Sequence, residues 1–274
     1  MTGGTDPQPE LFGNPEQRAV LRKGLAMHAL TRHLPDATYY GRGVGILRPD
    51  PAGLELLRSL VTLQGVANIY DVPEGQRKAV MAELEDQGYS LTRYANWLSG
   101  ADTLTVARRI VDEMPLPEDV TVTVIDAGTA HTTLAGLADV SLSVGVMPIA
   151  GPMLRGTLKP GVGVVALDRD GRAVSCAAAA SFAHPDHTEF GGLAWWGMLA
   201  TRSDRGGQGL ALILGATAML AMAERFGVTR FFTGVQQGNI ASEKVCGRCG
   251  LAPVENAILT VVDASALKGG KLTK

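Results

Sequence analysis

A glycine-rich turn between an apolar strand and an apolar helix is the feature that most constrains the fold of this 274-residue chain. Residues 193–201 are mostly apolar, which predicts a buried strand, and residues 210–226 hold no proline and one glycine, which predicts a long helix. Gly206, Gly207 and Gly209 lie between them. The first amides of a helix have no partner within it and carry its positive end, so a turn of this kind favours a bound phosphate.

The spacing of these glycines excludes two common phosphate-binding loops. A Walker loop requires a lysine followed by serine or threonine, and Leu210 and Ala211 occupy those places. No register of the turn supplies the G-x-G-x-x-G pattern of dinucleotide-binding folds, and residues 41–45 do not supply it either. The sequence therefore predicts a diphosphate loop of another class.

Two segments resemble the GNAT superfamily of N-acetyltransferases. Residues 206–211 are similar to its acyl-CoA loop, Gln/Arg-x-x-Gly-x-Gly/Ala, except that Gly206 replaces the first Arg or Gln and Arg205 stands one place earlier as a candidate for the missing charge. Residues 239–251 are similar to its second motif, which begins Asn-x-x-Ala/Ser and ends on a glycine before an aromatic or aliphatic residue. The resemblance covers roughly the last 150 residues, the length of one domain.

The resemblance implies an α/β fold (a mixed α+β sheet), in which helices flank a central twisted sheet. It also implies direct transfer of an acetyl group from acetyl-CoA to a primary amine, borne by a small molecule or a peptide, in a ternary complex without a metal ion. The residues that it assigns to acetyl-CoA are Leu199, Ala200, Thr201, Arg205, Gly206, Gly207, Gln208, Gly209, Leu210, Ala211, Asn239 and Ser242.

The catalytic positions depart from the family pattern. Cys246 stands seven residues after the asparagine of the second motif, where many members carry a tyrosine that protonates the departing thiolate. It is a candidate general acid, and a small buried residue is the alternative. No carboxylate lies near residues 195–197, where many members carry a glutamate, so Glu189 is the candidate general base. His184 and His187 share its loop, and their irregular spacing is more typical of a solvated loop than of a metal site.

Trp195 and Trp196 are adjacent in the predicted strand, so their side chains point to opposite faces of the sheet. We expect one of them to pack into the core and the other to line the substrate cleft, and both are candidate substrate-binding residues. An aromatic wall suits an amine with an apolar or cationic body.

Composition and charge exclude several classes of partner. A net charge of −2 gives no basic field for a nucleic acid, and no apolar run of about eighteen residues predicts a membrane span. The polar first ten residues lack the basic start and the apolar core of a signal peptide. Three cysteines, an odd number in a long chain, do not fit a secreted disulfide scaffold. We expect a cytoplasmic protein.

The acidic, proline-containing stretch 112–119 predicts a boundary between an amino-terminal α/β domain, 1–117, and an acyltransferase domain, 118–274. We expect the first domain to be a degenerate GNAT-like scaffold on the substrate side. A tandem arrangement would let one chain form the interface that single-domain relatives form by dimerising, so the sequence slightly favours a monomer over a homodimer.

A gapless alignment of the chain with itself that places Gly65 on Gly227 also places Gly88 on Gly250. Each glycine would end a helix before a strand, which favours an internal duplication in the chain. The alternative is that this order of helix, glycine and strand is common among unrelated folds.

The same alignment places Pro49 on Ala211, and a proline has no amide hydrogen to offer a diphosphate. If the chain is a duplication, the first copy is therefore expected to lack a cofactor site. Two other functions stay open. One is a catalytically silent acyl-CoA-binding regulatory module. The other is a redox protein that uses Cys246 and Cys249, whose C-x-x-C spacing falls at the end of a predicted helix, whereas a thioredoxin-type site starts one.

Overall fold

The structure, a computed structural model, describes residues 10–263, so the first nine residues of the polar amino-terminal segment lie outside it. Its helices are α1 (Pro15–Thr31), α2 (Pro51–Gln64), α3 (Glu74–Asp86), α4 (Thr103–Glu113), α5 (His131–Ser143), α6 (Gly151–Leu154), α7 (Leu210–Phe226) and α8 (Ile240–Arg248). Its strands are β1 (Ala37–Thr38), β2 (Gly45–Ile46), β3 (Val66–Val72), β4 (Tyr89–Ser99), β5 (Thr121–Val124), β6 (Gly161–Leu167), β7 (Ala173–Ser181), β8 (Leu193–Thr201), β9 (Arg230–Gln236) and β10 (Leu251–Asp263).

The strands form one continuous sheet in the order β1-β2-β3-β10-β4-β9-β8-β7-β6-β5. β2 and β3 are parallel, as are β8 and β9, and the other neighbours are antiparallel. Alternate residues of β7 enter two separate cores, Ala178 with α5 and Ala179 with α7, so helices cover both faces of the sheet. This architecture confirms the predicted α/β class with its mixed sheet.

Helix α7 has the predicted bounds and is apolar on nearly every side because it is enclosed. It packs between the sheet and α4, whose Ala107 and Ile110 belong to the same core. The glycine within it, Gly215, lies against the sheet: its carbonyl accepts a hydrogen bond from Trp196 Nε1 at 2.9 Å, and a Cβ there would lie 2.6 Å from the indole. No helix within residues 10–263 combines the length and the apolar character needed to cross a membrane.

The two segments on either side of residue 117 exchange strands. β10, the last strand of the second segment, lies between β3 and β4 of the first, and β4 in turn pairs with β9. Each segment therefore completes the sheet of the other. The division of the chain into 1–117 and 118–274 stays a prediction about its organisation.

The order of elements repeats along the chain, with α2-β3-α3-β4 followed later by α7-β9-α8-β10. The four glycines paired by the gapless alignment all adopt a left-handed conformation, with φ of +87° at Gly65, +69° at Gly227, +86° at Gly88 and +80° at Gly250. Each of them follows a helix, at a place where a residue with a side chain would be strained.

The gapless alignment does not hold at the starts of the helices. It places Pro51, the first residue of α2, on Ile213, whereas α7 already begins at Leu210. By helix position, Ala211 therefore corresponds to Ala52, and Pro49 lies before the helix cap. The expected match of Pro49 to Ala211 is wrong, because α2 has 14 residues and α7 has 17, so an alignment anchored at the glycines after the helices does not match their starts.

Candidate functional site

The candidate site is a cleft that opens where β8 and β9 separate. The two parallel strands pair over three residues, from Leu193–Arg230 to Trp195–Phe232, and their pairing ends there. Beyond that point a cavity of about 210 Å³ lies between them. The facing backbone edges have no strand partner, so an extended ligand can pair with them as an added strand does.

A β-bulge in β8 shapes the middle of the cleft. On β7 two steps separate Cys176 from Ala178, whereas on β8 three steps separate their partners, Gly197 and Ala200. Met198 lies in the bulge with φ of +54°. Among residues 10–263 it is the only residue other than glycine with a positive φ. Bulges redirect backbone groups out of the ladder, and a strained conformation of this kind persists only where the surroundings fix it.

The predicted diphosphate loop follows β8 directly. A 3₁₀ turn at Ser203–Arg205 leads into the glycines, and Gly207 and Gly209 take φ of +78° and +75°, which glycine adopts without strain. The amides of residues 207–211 have no hydrogen-bond partner within the described part of the chain. They stand at the start of a 17-residue helix, where partial positive charge concentrates.

The start of α8 lies beside this loop, because the carboxyl ends of parallel neighbours meet at one edge of a sheet. Asn239 caps α8, and its Oδ1 accepts a hydrogen bond from the amide of Ser242 at 3.2 Å. Both residues line the cleft, so the amide nitrogen of Asn239 can face a ligand while its oxygen holds the helix.

Known structures share this architecture, although no protein-family model and no curated protein matches the sequence. A GCN5-related N-acetyltransferase from Kribbella flavida is similar with a TM-score of 0.54 and 17% identity, over 89% of this chain and 95% of that one. A tandem GNAT protein from the clavulanic acid biosynthesis pathway is similar with a TM-score of 0.50 and 13% identity, over 78% of this chain and 68% of that one. This protein has the GNAT fold. At these identities the likeness concerns the fold alone.

Within this GNAT fold the predicted cofactor residues of β8 separate into two groups. Leu199 lines the cleft. Ala200 and Thr201 form the end of the strand, where Ser175 Oγ donates to the carbonyl of Ala200 at 2.8 Å and lies 2.9 Å from Thr201 Oγ1. Neither residue lines the described cleft, and the side chain of Ala200 is buried, so the structure does not bring these two residues to the site.

Arg205 is not a free cation. Its Nη2 forms an ion pair with Asp119, in the connection between α4 and β5, and this guanidinium lowers the pKa of the Asp119 carboxyl. Arg202 is paired in turn with Asp204 at 3.3 Å. A diphosphate at the loop would compete with Asp119 for Arg205, so the amides are the better defined ligands.

Cys246 lines the cleft, and 2% of its surface is exposed. Burial raises the pKa of its thiol to about 12. Cys249, three residues later, is also buried with its pKa raised to about 12, and neither cysteine is in a disulfide. Reactive redox cysteines have a lowered pKa and partial exposure, so this pair has the opposite properties.

Glu189 lies outside the cleft, in the exposed loop before β8. Its Oε2 pairs with Arg48 Nη2 at 2.6 Å, and Arg48 also binds Asp71. His187 holds the same loop by accepting hydrogen bonds from the amides of Glu189 and Phe190 at 3.2 Å. The structure therefore does not bring the expected base to the site, because an ion pair on the surface fixes it elsewhere.

The two tryptophans point to opposite faces, as the alternation requires. The indole of Trp196 packs under α7, where Gly215 accepts its hydrogen bond. Trp195 faces the other way and stacks on Tyr40 at 4.8 Å between ring centroids. Both tryptophans line the cleft, and Trp195 does so on the side of Tyr40.

The sequence interpretation missed the residues that complete this end of the cleft. They come from the amino-terminal segment, which reaches the site through β3, β4 and the chain before β2. Within the described residues they include Tyr40, Arg42, Asn68, Tyr70 and Tyr94. Tyr40 and Arg42 adjoin the glycines of residues 41–45, which do not form a dinucleotide motif. These glycines are the one local feature of the sequence that marks this part of the cleft.

Proposed function

We propose that the protein is an N-acetyltransferase that moves an acetyl group from acetyl-CoA directly to a primary amine. The observation that carries this proposal is the presence of two features at one edge of the sheet. The unpaired amides of residues 207–211 suit a diphosphate, and the gap between β8 and β9 suits an extended pantetheine arm. Diphosphate and pantetheine are successive parts of coenzyme A.

The bulge at residues 197–199 supplies the next requirement. When an amine attacks a thioester, the carbonyl oxygen gains negative charge, and donors already in place lower the energy of that state. Backbone amides turned out of the β8 ladder are such donors, and the surroundings that hold Met198 at positive φ keep them in place. We assign the polarisation of the thioester carbonyl to this bulge.

Water is the best supported proton carrier. A free thiol has a pKa of roughly 8.5, so a Cys246 thiol with a pKa of about 12 is a weak donor toward the departing thiolate. No Asp, Glu, His or Lys lines the described cleft, so no carboxylate, imidazole or lysine amine there can accept the proton of the attacking amine. In this proposal Cys246 packs against the ligand, and Glu189 has no part in catalysis.

The amino-terminal segment supplies the acceptor end of the cleft, which is the scaffold role expected from the sequence. Because one chain provides both walls, a homodimer is not needed to complete the site, and we propose a monomer. The repeated order of elements and the four left-handed glycines support an internal duplication. Three buried free cysteines suit the reducing cytoplasm, which we keep as the proposed location.

The test is a turnover assay of the full chain with acetyl-CoA and a panel of amines, amino acids and peptides with free amino termini. Release of free thiol, together with a product heavier by one acetyl group, is the expected result. Calorimetry with coenzyme A alone checks the first step. An absence of measurable binding at millimolar coenzyme A would remove the basis of the proposal.

A catalytically silent acyl-CoA-binding module is the second candidate. The lack of a carboxylate, histidine or lysine in the lining of the described cleft, and of a tyrosine at position 246, favours it. Binding of acetyl-CoA without thiol release over background, for every amine of the panel, would support this function and exclude the enzyme.

A further inference from the structure

Arg42 is a buried cation in the wall of the cleft. It lies between β1 and β2, and 8% of its surface is exposed. Its guanidinium carbon is 5.3 Å from the centroid of the Trp195 ring and 5.9 Å from that of Tyr40. These two rings stack on each other, so Arg42 is packed against a rigid aromatic pair.

The guanidinium is only partly satisfied. Nη2 donates to the carbonyl of Met147, whereas Nε is fully buried and has no hydrogen-bond partner. No ion pair joins Arg42 to any carboxylate within residues 10–263, and the cleft has no described acidic residue in its lining. A buried charge without a counter-charge is destabilising, unless a ligand supplies the opposite charge.

The position of Arg42 identifies the part of the reaction that would meet it. Arg42 lies against Trp195, which precedes the β8 bulge, whereas the diphosphate loop follows the bulge. Arg42 is therefore on the far side of the thioester from coenzyme A. The groups that reach this side are the acceptor amine and the distal end of the acyl chain.

We infer that Arg42 binds a carboxylate on one of the two substrates. The inference rests on the proposed function and extends it to a substrate class: an amino acid or a similar amine with a carboxylate, or an acyl chain that ends in one. The planar fork of a guanidinium matches a carboxylate with two parallel hydrogen bonds. An amine that carries only positive charge is disfavoured beside Arg42, so of the apolar or cationic bodies expected at the aromatic wall this inference favours the apolar one.

The first experiment measures turnover with matched substrates. The acceptor arm compares L-amino acids, phenylalanine among them, with their carboxamides, using acetyl-CoA. The acyl arm compares succinyl-CoA with acetyl-CoA, using phenylalaninamide as acceptor. In one arm the carboxylate substrate should show kcat/KM higher by at least about 30-fold, the effect of one buried charge pair. The arm that shows this difference identifies which substrate carries the carboxylate.

The second experiment measures binding without turnover. N-acetylphenylalanine and succinyl-phenylalaninamide are the carboxylate products of the two arms, and N-acetylphenylalaninamide is their uncharged match. Calorimetry with the full chain should show that one carboxylate product binds more tightly than the amide. Carboxylate binding in a chain that does not turn over would refute the proposed function and keep this inference. Turnover with no preference for a carboxylate in either arm would support the proposed function and refute this inference.

Variants of Arg42 separate a ligand role from a structural one. Arg42→Met should reduce the preference for the carboxylate to within about twofold, and Arg42→Lys should restore part of it, because lysine keeps the charge without the fork. The melting temperature of Arg42→Met should equal or exceed that of the wild type, since the variant removes an unpaired buried charge. A lower melting temperature with an unchanged preference would show that Arg42 only supports the fold.

Discussion

The two long helices that follow the parallel strands, α2 and α7, begin in opposite ways. The carboxylate of Asp50 caps α2 and accepts a hydrogen bond from the amide of Gly53 at 2.7 Å. Pro51, the first residue of the helix, has no amide hydrogen to offer a ligand. Gly209 caps α7 through its backbone conformation alone, without a side chain. One helix start is closed by the protein's own anion, and the other is open to an external one.

The two pairs of parallel strands, β2 with β3 and β8 with β9, also differ in whether the space between them is closed. In the amino-terminal segment, Gln64 of α2 bonds to both backbone groups of Val44, just before β2, and β2 lies so close to β3 that a Cβ at Gly45 would be 2.4 Å from the carbonyl of Asn68. Between β8 and β9 the corresponding space is the cleft. The comparison teaches that a repeated order of elements yields a ligand site only where backbone groups are left unpaired.

The largest expected effect comes from treating the two segments as independent domains. A chain of residues 118–274 should not fold, because β10 loses both neighbouring strands and β9 loses β4. Circular dichroism and thermal unfolding of this fragment, with the full chain as the control, check the outcome. Co-expression with residues 1–117 should restore a folded complex. A stable isolated fragment that binds coenzyme A would contradict the exchange of strands.

The next effect tests the open helix start. Gly209→Asp gives α7 the kind of cap that α2 has, and it should weaken coenzyme A binding by about 10- to 100-fold relative to Gly209→Asn, through repulsion of the diphosphate. Both residues tolerate a left-handed conformation better than most, so the pair isolates the charge. Calorimetry at low and high salt measures the coenzyme A affinity of both variants, and the difference between the two affinities should shrink as salt is added. Equal affinities of the two variants would place the diphosphate elsewhere.

The reciprocal change concerns the closed helix start. Asp50→Ala removes the cap of α2 and should lower the free energy of unfolding by about 1 kcal/mol, with coenzyme A binding unchanged. Asp50→Ser keeps a capping oxygen and is the matched control. Urea denaturation and calorimetry provide the two measurements. A change in coenzyme A affinity would show that the two helix starts are functionally linked.

The smallest effect is expected at Cys246. Cys246→Ala should keep kcat within about twofold, because a thiol whose pKa is about 12 contributes little proton donation near neutral pH. The same raised pKa means that the folded state favours the protonated thiol, so the stability it provides is complete below about pH 9 and is lost as pH rises toward 12. Between pH 8 and pH 10 the free energy of unfolding in urea should fall less for Cys246→Ala than for the wild type. A much larger fall in kcat would restore Cys246 as the acid.

Much of the carboxyl-terminal half was readable because its signals are local. The bounds of β8 and α7 agree with the prediction, since an uninterrupted apolar run and the glycines around it specify strand, turn and helix within a few residues. For Glu189 the local signal and the structure differ. Its position before the strand suggested a base, but Arg48, far away in the sequence, holds it on the surface.

The sequence by itself determined the glycine-rich turn before α7 and the class of fold, because left-handed glycines and a helix start are properties of neighbouring residues. Only the tertiary structure decided that β10 lies between β3 and β4, and that Arg42 and Tyr40 stand beside Trp195. Strand partners and cavity walls come from residues far apart along the chain. Their pairing depends on which edges and faces the rest of the fold leaves free, and no local pattern records that.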